Sequence, residues 1–494
     1  MTAMTESLTD LMNVLTIDGQ PILGDGEVIT VSNPATGDML GEVPAASIAQ
    51  TEAAIMAARK AFDDGRWSGL TARERSDAIA RLADLMVEHR AELLDVIVAE
   101  VGTPITTAGP MQVDQPVAAL RFFAEAALEI RSEGLAPAPT LDSISMIDRV
   151  PVGVVGAISA YNFPITLAMW KVGAALAAGC TVVLVSSPKT PFATLLLGRL
   201  VEKAGIPAGV VNILAGGPEV SSLITTHCLV DKVAFTGSAN VGRLVMAQAA
   251  DTIKGVVLEL GGKSPAVILP GTNLSEVVEP LILRLCRNAG QACAAPTRLL
   301  VHVDQINEFE ALATAVVHNV PIGDPLDPST VIGPLISEEH RHHVASMVDS
   351  AVQSGGRVLA QGKVPDSRGY FYPATLLTDL GQDAPAVREE IFGPVGVVST
   401  YETVDQAVEM ANDSDYGLQA FVYGSDTREA TSFGRRLRAG TVAINGGGGT
   451  ARVDGPFGGF KQSGIGRELG TWGVDEYLEV RHMQIATSAP GSTR

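Results

Sequence analysis

Chemistry-bearing residues gather in four short segments. Cys293 lies in Asn288-Ala289-Gly290-Gln291-Ala292-Cys293-Ala294-Ala295-Pro296, where glycine and alanine leave room around the sulfur. A thiolate there would be a nucleophile, but a cysteine among small residues equally fits an inert buried hydrophobe. Glu259 closes an apolar run in Leu258-Glu259-Leu260-Gly261-Gly262-Lys263. Desolvated, its carboxyl would move toward the range of a general base; paired with Lys263 it would be a salt bridge. Asn162, within Ala160-Tyr161-Asn162-Phe163-Pro164, follows an earlier apolar run. Its amide either caps the next helix or donates to a developing oxyanion. Phe235-Thr236-Gly237-Ser238-Ala239-Asn240-Val241-Gly242 joins a strand to a helix. Free backbone N–H groups and the helix dipole suit a phosphate or pyrophosphate there, although the segment is not GxGxxG and a plain connecting turn fits it too. His340, His342 and His343 invite a metal reading. His340 and His343 stand three apart on a surface helix without a close fourth ligand, so no metal is expected.

These side chains need a frame, and the apolar pattern supplies one. The runs Val152 to Ile158, Thr181 to Val185, Val210 to Leu214, Val233 to Phe235 and Gly255 to Leu260 are bounded by Gly, Pro or Asn and separated by helical stretches. Such alternation predicts a parallel sheet buried on both faces, the doubly wound α/β arrangement. Ligands in these sheets bind beyond the carboxyl ends of the strands, where Asn162, Gly237 and Glu259 fall. A second series, from Ala266 through Leu299 to Val303, Val395 to Thr400, Ala420 to Tyr423 and Thr441 to Asn445, predicts a second α/β domain. Ahead of both, Ile55, Ala58 and Phe62 recur at helical spacing. Thr71-Ala72-Arg73-Glu74 reads as a capping box opening a helix through Ile79, Leu82, Leu85 and Met86. The polar first residues, to about position 15, are expected to fray. Ser143-Ile144-Ser145-Met146-Ile147 suggests an exposed hairpin needing a partner, and Gly446 to Gly449 a loop.

At 494 residues the chain exceeds one compact core, so two or three domains are expected. A formal charge of −20 disfavours nucleic acid and anionic membranes as partners. Arg435, Arg436 and Arg438 could meet a phosphate, or simply form a solvated helix face. Cys180, Cys228, Cys286 and Cys293 form no CxxC pair, which points away from disulfides and zinc and toward a reducing compartment. Glu6, Asp10 and Asp18 deny the N-terminus the character of a signal peptide, and no apolar run reaches the roughly 20 residues of a membrane helix. A cytoplasmic protein is expected.

Together, six blocks in order resemble the aldehyde dehydrogenase superfamily over about residues 20 to 485. They are Tyr161-Asn162-Phe163-Pro164; Phe235-Thr236-Gly237-Ser238; Glu259-Leu260-Gly261-Gly262-Lys263; Gly290-Gln291-Ala292-Cys293; Glu389-Glu390-Ile391-Phe392-Gly393-Pro394; and Pro456-Phe457-Gly458-Gly459-Phe460-Lys461 with Ser463-Gly464. The resemblance implies a Rossmann-like cofactor-binding domain (1–127 and 149–258), an α/β catalytic domain (259–470) and a small β oligomerisation element (128–148 and 471–494). It implies Cys293 as nucleophile, Asn162 as oxyanion donor beside the Cys293 amide, and Glu259 as the base that activates water against a thioester. An aldehyde would leave as a carboxylic acid, with hydride passing to NAD(P). Glu259 also separates the chain from relatives that transfer the acyl group to coenzyme A. By the same resemblance Ile158, Ser159, Ala160, Tyr161, Ser186, Phe235, Thr236, Gly237, Ser238, Val241, Leu260, Gly261, Glu390 and Phe392 bind the cofactor. Phe163, Trp170 and Phe457 line a roomy, apolar aldehyde tunnel in which no charged residue stands out, and His340 falls near the cofactor's ribose. A homodimer or homotetramer is implied.

The sequence departs from the family pattern at one corner. A lysine and a glutamate usually meet the adenosine ribose, and here Val185 and Pro188 hold those positions in Val185-Ser186-Ser187-Pro188-Lys189. Less repels a 2′-phosphate, so NAD is expected with NADP left open. Tyr161 stands where tryptophan is common. Two other readings are a cofactor-independent thiol esterase or hydrolase built on Cys293 and Glu259, and a non-catalytic structural oligomer.

Overall fold

The computed structural model describes residues 14–135, 143–447 and 451–486. The expectations for residues 1–13, for 136–142, for Gly448 and Gly449, and for the tail beyond 486 lie outside the described residues.

Five apolar runs form parallel strands as their composition requires: β1 (Val154–Ile158), β2 (Thr181–Ser186), β3 (Val211–Ala215), β4 (Lys232–Thr236) and β5 (Gly255–Glu259). Val, Ile and Leu tolerate burial on both faces of a pleated sheet, and every residue of β1, β2 and β3 is buried. The sheet runs Gln20–Leu23, Val14–Ile17, β3, β2, β1, β4, β5, Gly464–Ile465, with antiparallel pairs only at its edges. The chain moves outward from β1 to β3 and then returns to the other side of β1 with β4. That reversal opens a crevice beyond the carboxyl ends of β1 and β4. Helix α1 (Pro164–Ala178) follows β1, and all 15 of its residues are buried. Helix α2 (Ala239–Ala249) follows β4, its first turn capped by the Ser238 side chain.

A second sheet starts after a four-residue link from β5. It comprises β6 (Ser264–Ile268), β7 (Pro296–His302), β8 (Thr375–Thr378), β9 (Val395–Tyr401), β10 (Gln419–Tyr423) and β11 (Thr441–Ile444), in the order β8, β9, β7, β6, β10, β11 and all parallel; Arg357–Gln361 adds antiparallel to β8. Helix α3 (Leu274–Cys286) leads from β6 toward Cys293. Since β5 passes almost directly into β6, the carboxyl edge of the first sheet meets the amino edge of the second.

The early helices form at Ile48–Asp63 and Ala72–Glu88, and Thr71 with Glu74 makes the expected capping box. The segment from Ser143 is a strand, Ser143–Pro151, whose long partner is not local: Leu478–Ala486 pairs with it antiparallel in nine-residue register, while Glu133–Gly134 covers only its other edge. No helix among the described residues is long and apolar enough to cross a membrane.

Candidate active site

The turn ahead of Cys293 is held in an uncommon backbone form. Asn288, Ala289 and Gly290 have successive φ values of 52°, 54° and 72°, a left-handed run that L side chains rarely adopt. Buried hydrogen bonds hold it. Thr103 donates to Asn288 Oδ1 at 2.6 Å, Asn288 Nδ2 donates to the carbonyls of Asn162 and Gln291 at 3.1 and 3.3 Å, and the Ile336 N–H donates to Gln291 Oε1 at 3.0 Å. A Cβ on Gly290 would fall 2.1 Å from the Gly393 backbone, so glycine is required there. Asn162 Nδ2 donates to the Gln291 carbonyl at 3.0 Å. Helix α1 takes Phe163 as its N-cap with no side-chain cap bond, so Asn162 does not cap it. Its amide belongs to the Cys293 turn instead.

Cys293, half-buried, opens with Asn162 on a cavity of about 990 Å³ between the two sheets. The predicted cofactor residues Ala160, Tyr161, Phe235, Thr236, Gly237, Ser238, Val241, Leu260, Gly261, Glu390 and Phe392 all line it. Ile158, Ser159 and Ser186 do not: they are buried behind the wall, with Ser159 Oγ donating to the Val185 carbonyl at 3.3 Å, and Ser187 reaches the cavity in their place. The residues present fit a dinucleotide. Two glycines keep the floor at backbone height: a Cβ on Gly237 would meet the Phe235 ring at 2.3 Å, and one on Gly261 would meet Glu390 Oε2 at 2.2 Å. The N-terminus of α2 points into the same space, as an anion site requires. His340 lines it beside Tyr161 and Phe392, the three rings meeting edge-on 6.0–6.5 Å apart, and its Nε2 lies 2.7 Å from the Phe392 carbonyl. On the other side stand Phe163, Trp170 and Phe457, with Trp170 and Phe457 packed edge-on at 5.2 Å.

The family model described as "Aldehyde dehydrogenase family" matches residues 22–483. The chain belongs to the aldehyde dehydrogenase family. It is 37% identical over 462 residues to the NADP(+) succinate-semialdehyde dehydrogenase GabD of Escherichia coli, covering 93% of this chain and 95% of that one. It is 36% identical to a geranial dehydrogenase of Castellaniella defragrans, over 95% and 100% of the two chains. The NAD+ complex of an aldehyde dehydrogenase from Bacillus cereus superposes with a TM-score of 0.95 at 37% identity, covering 99% of each chain. This chain is accordingly an NAD(P)-dependent aldehyde dehydrogenase.

In this family member, charged groups beside the cavity are buried. Burial pushes the Cys293 thiol upward, and the nearby Glu390 and Glu259 carboxylates push it further; its own amide and that of Ala294 oppose them. Glu259 is 3% exposed, and neither carboxylate oxygen has a hydrogen-bond partner. Lys263 Nζ is likewise without one, so the salt-bridge reading of Glu259 with Lys263 is not realised. Burial raises the Glu259 carboxyl well above its ordinary range and the Glu468 carboxylate raises it more, while Lys171 and Arg467 pull it down. Burial also lifts Glu390 to about 7, against the Gly262 N–H that donates to it at 3.0 Å.

Two features escaped the sequence reading. Lys171, inside α1, forms a buried ion pair with Glu468 and donates to Thr236 Oγ1 at 2.5 Å. A lone lysine in an apolar helix and a glutamate outside every quoted block carry no local signal of each other. The tunnel is also not purely apolar: Arg284 and Arg287 line the cavity with Cys293, correcting the expectation that no charge stands out there. Arg284 lies in the last turn of α3 and Arg287 directly after its end, just before the Cys293 turn.

Proposed function

We propose that Cys293, Asn162 and Glu259 oxidise an aldehyde to its acid through a covalent thiohemiacetal and then a thioester. The observation that carries this reading is that Cys293 and Asn162 open on the same cavity as the dinucleotide cradle, with a desolvated Glu259 close enough to perturb the thiol. The Cys293 thiol gives up its proton to water and, as the thiolate, attacks the aldehyde carbon; the new oxyanion accepts from the Asn162 amide and the Cys293 N–H. Loss of such a donor costs about 2.7–4 kcal/mol of barrier. When bound, the nicotinamide supplies the hydride acceptor. Glu390 and Phe392 hold the wall on that side, and the N-terminus of α2 after Ser238 faces the phosphates. Glu259 takes a proton from water as it attacks the thioester, releasing the acid and the thiol.

Cys293→Ala should abolish aldehyde-dependent cofactor reduction. Glu259→Gln should give one burst of reduced cofactor and then stall; an unchanged steady-state rate would remove Glu259 from this role. At the adenosine corner, buried Val185 and exposed Pro188 and Lys189 offer no carboxylate to repel a 2′-phosphate. The reading is therefore a site that takes NAD or NADP, in keeping with relatives of both kinds. Parallel titrations decide it, and a large NAD preference would count against the argument. The antiparallel sheet of Ser143–Pro151 and Leu478–Ala486 is read as the element that joins subunits of a homodimer or homotetramer.

A further inference from the structure

We infer that Thr103 and Gln112 are positioning residues for the oxyanion site, holding Asn162 and the Cys293 turn through a one-way chain of buried hydrogen bonds to Asn288. The inference rests on the aldehyde-oxidising reading above and adds two residues that do not line the cavity. Gln112 Nε2 donates to Thr103 Oγ1 at 2.9 Å, and Thr103 Oγ1 donates to Asn288 Oδ1 at 2.6 Å. Asn288 Nδ2 then donates to the Asn162 and Gln291 carbonyls at 3.1 and 3.3 Å. None of these five residues is more than 4% exposed, so bulk water cannot replace a missing partner. Their chemistry fixes the direction. Backbone carbonyls only accept, so Asn288 must turn its NH2 toward Asn162 and Gln291. Its oxygen then faces Thr103, whose single hydroxyl proton must go there. Gln112 must in turn offer Thr103 a hydrogen rather than an oxygen. That direction leaves Gln112 Oε1 buried with no partner.

What the chain holds lies at the reacting atoms. The Gln291 carbonyl receives the Asn288 amide and, at 3.0 Å, the Asn162 amide as well, so one Asn162 N–H is committed to the turn and the other is left for an oxyanion. Asn288 also opens the left-handed run that leads into Cys293, a backbone form that persists only where its surroundings over-determine it. Removing the Thr103 hydroxyl would leave Asn288 Oδ1 buried without a donor and loosen the amide that grips both carbonyls. The far end of the chain is anchored too. Gly102, just before Thr103, has φ 76°, and a Cβ there would fall 2.5 Å from the Pro334 ring. Gln112 sits in the wide helical turn Gly109–Asp114, an i→i+5 form that is rare and frequent at functional sites. Thr166 of α1 pins that turn by donating to the Met111 carbonyl at 2.7 Å.

The test is single-turnover reduction of NAD or NADP by propanal, hexanal or benzaldehyde with enzyme in excess, which reads attack and hydride transfer apart from hydrolysis. Thr103→Val keeps the shape and removes the hydroxyl. Its single-turnover rate should fall about tenfold or more, where outright loss of an oxyanion donor costs about 10²–10³. Its cofactor Kd, followed by NADH or NADPH fluorescence, should stay near the wild-type value, which shows that the variant is folded. Thr103→Ser returns the donor and should return most of the rate. Gln112→Glu places a carboxylate, which only accepts, where the chain needs a donor. Relative to wild type its rate should be lowest at high pH and recover as the carboxyl gains a proton to donate. A wild-type rate in Thr103→Val, an equal loss in Thr103→Ser, or a Gln112→Glu rate that keeps the same ratio to wild type at every pH would overturn the inference and leave the aldehyde dehydrogenase reading intact. Failure of the wild-type protein to reduce NAD or NADP with all three aldehydes would overturn both.

Discussion

Lys171, Glu468 and Glu259 form a charged cluster sealed inside an apolar shell, and its balance sets when Glu259 can act. A base must be deprotonated, so turnover falls as pH drops through the Glu259 pKa. The Glu468 carboxylate raises that pKa and Lys171 lowers it. Glu468→Gln should therefore shift the acid limb of the kcat profile to lower pH, and Lys171→Met should shift it higher. The measurement is the pH dependence of steady-state cofactor reduction; shifts of the same sign in both variants would sink the electrostatic account. Lys171→Met also strands Glu468 without its cation and should cost about 3–5 kcal/mol of stability, which makes Glu468→Gln the cleaner arm. None of this could be read from neighbouring residues, since Lys171 and Glu468 are 297 positions apart. Asn162 and Glu259 were readable because each ends or follows an apolar run, whereas Cys293 was readable only through the set of family blocks to which its own belongs. Their alternatives, capping for Asn162 and a Lys263 pair for Glu259, needed three-dimensional neighbours to be discarded.

The elements that carry these residues were the most predictable part of the molecule. Buried strands announce themselves as short Val and Ile runs, and the boundaries moved by up to three residues, as with Val152 predicted against Val154 observed and Leu299 against Pro296. Contacts between elements were not predictable, and Glu100 is an instance. It lies on the helix Arg90–Val101, fully buried, and its two oxygens accept from the Phe192 and Ala193 N–H groups, each at 2.9 Å. Those are the first N–H groups of the helix Phe192–Lys203, which starts straight after the Ser187–Thr190 turn at the adenosine corner. Glu100→Ala would leave two buried donors unmet, at a cost on the order of 2–3 kcal/mol. The expected outcome is a lower Tm together with a raised KM for the cofactor and little change in kcat. A fall in Tm with no change in cofactor KM would confine Glu100 to a structural part.

Taken as one body, the chain leaves an outlying sheet whose edges and faces look for company. In the register of Leu478–Ala486 against Ser143–Pro151, Ile485 lies opposite Ile144 and Met483 opposite Met146, so these four share one face. Ile144 is 53% exposed and Ile485 42%, next to the Arg481 and Asp148 ion pair on the same face. Away from the short Glu133–Gly134 strand, the two long strands expose apolar side chains to water, and burial against a second copy of the chain would remove that exposure. Charging the tip without touching the cavity separates assembly from catalysis. Ile144→Lys with Ile485→Lys should shift the protein to a smaller species by size-exclusion chromatography with light scattering, while NAD(P) still binds. An unchanged mass would take the strands Ser143–Pro151 and Leu478–Ala486 out of the subunit interface.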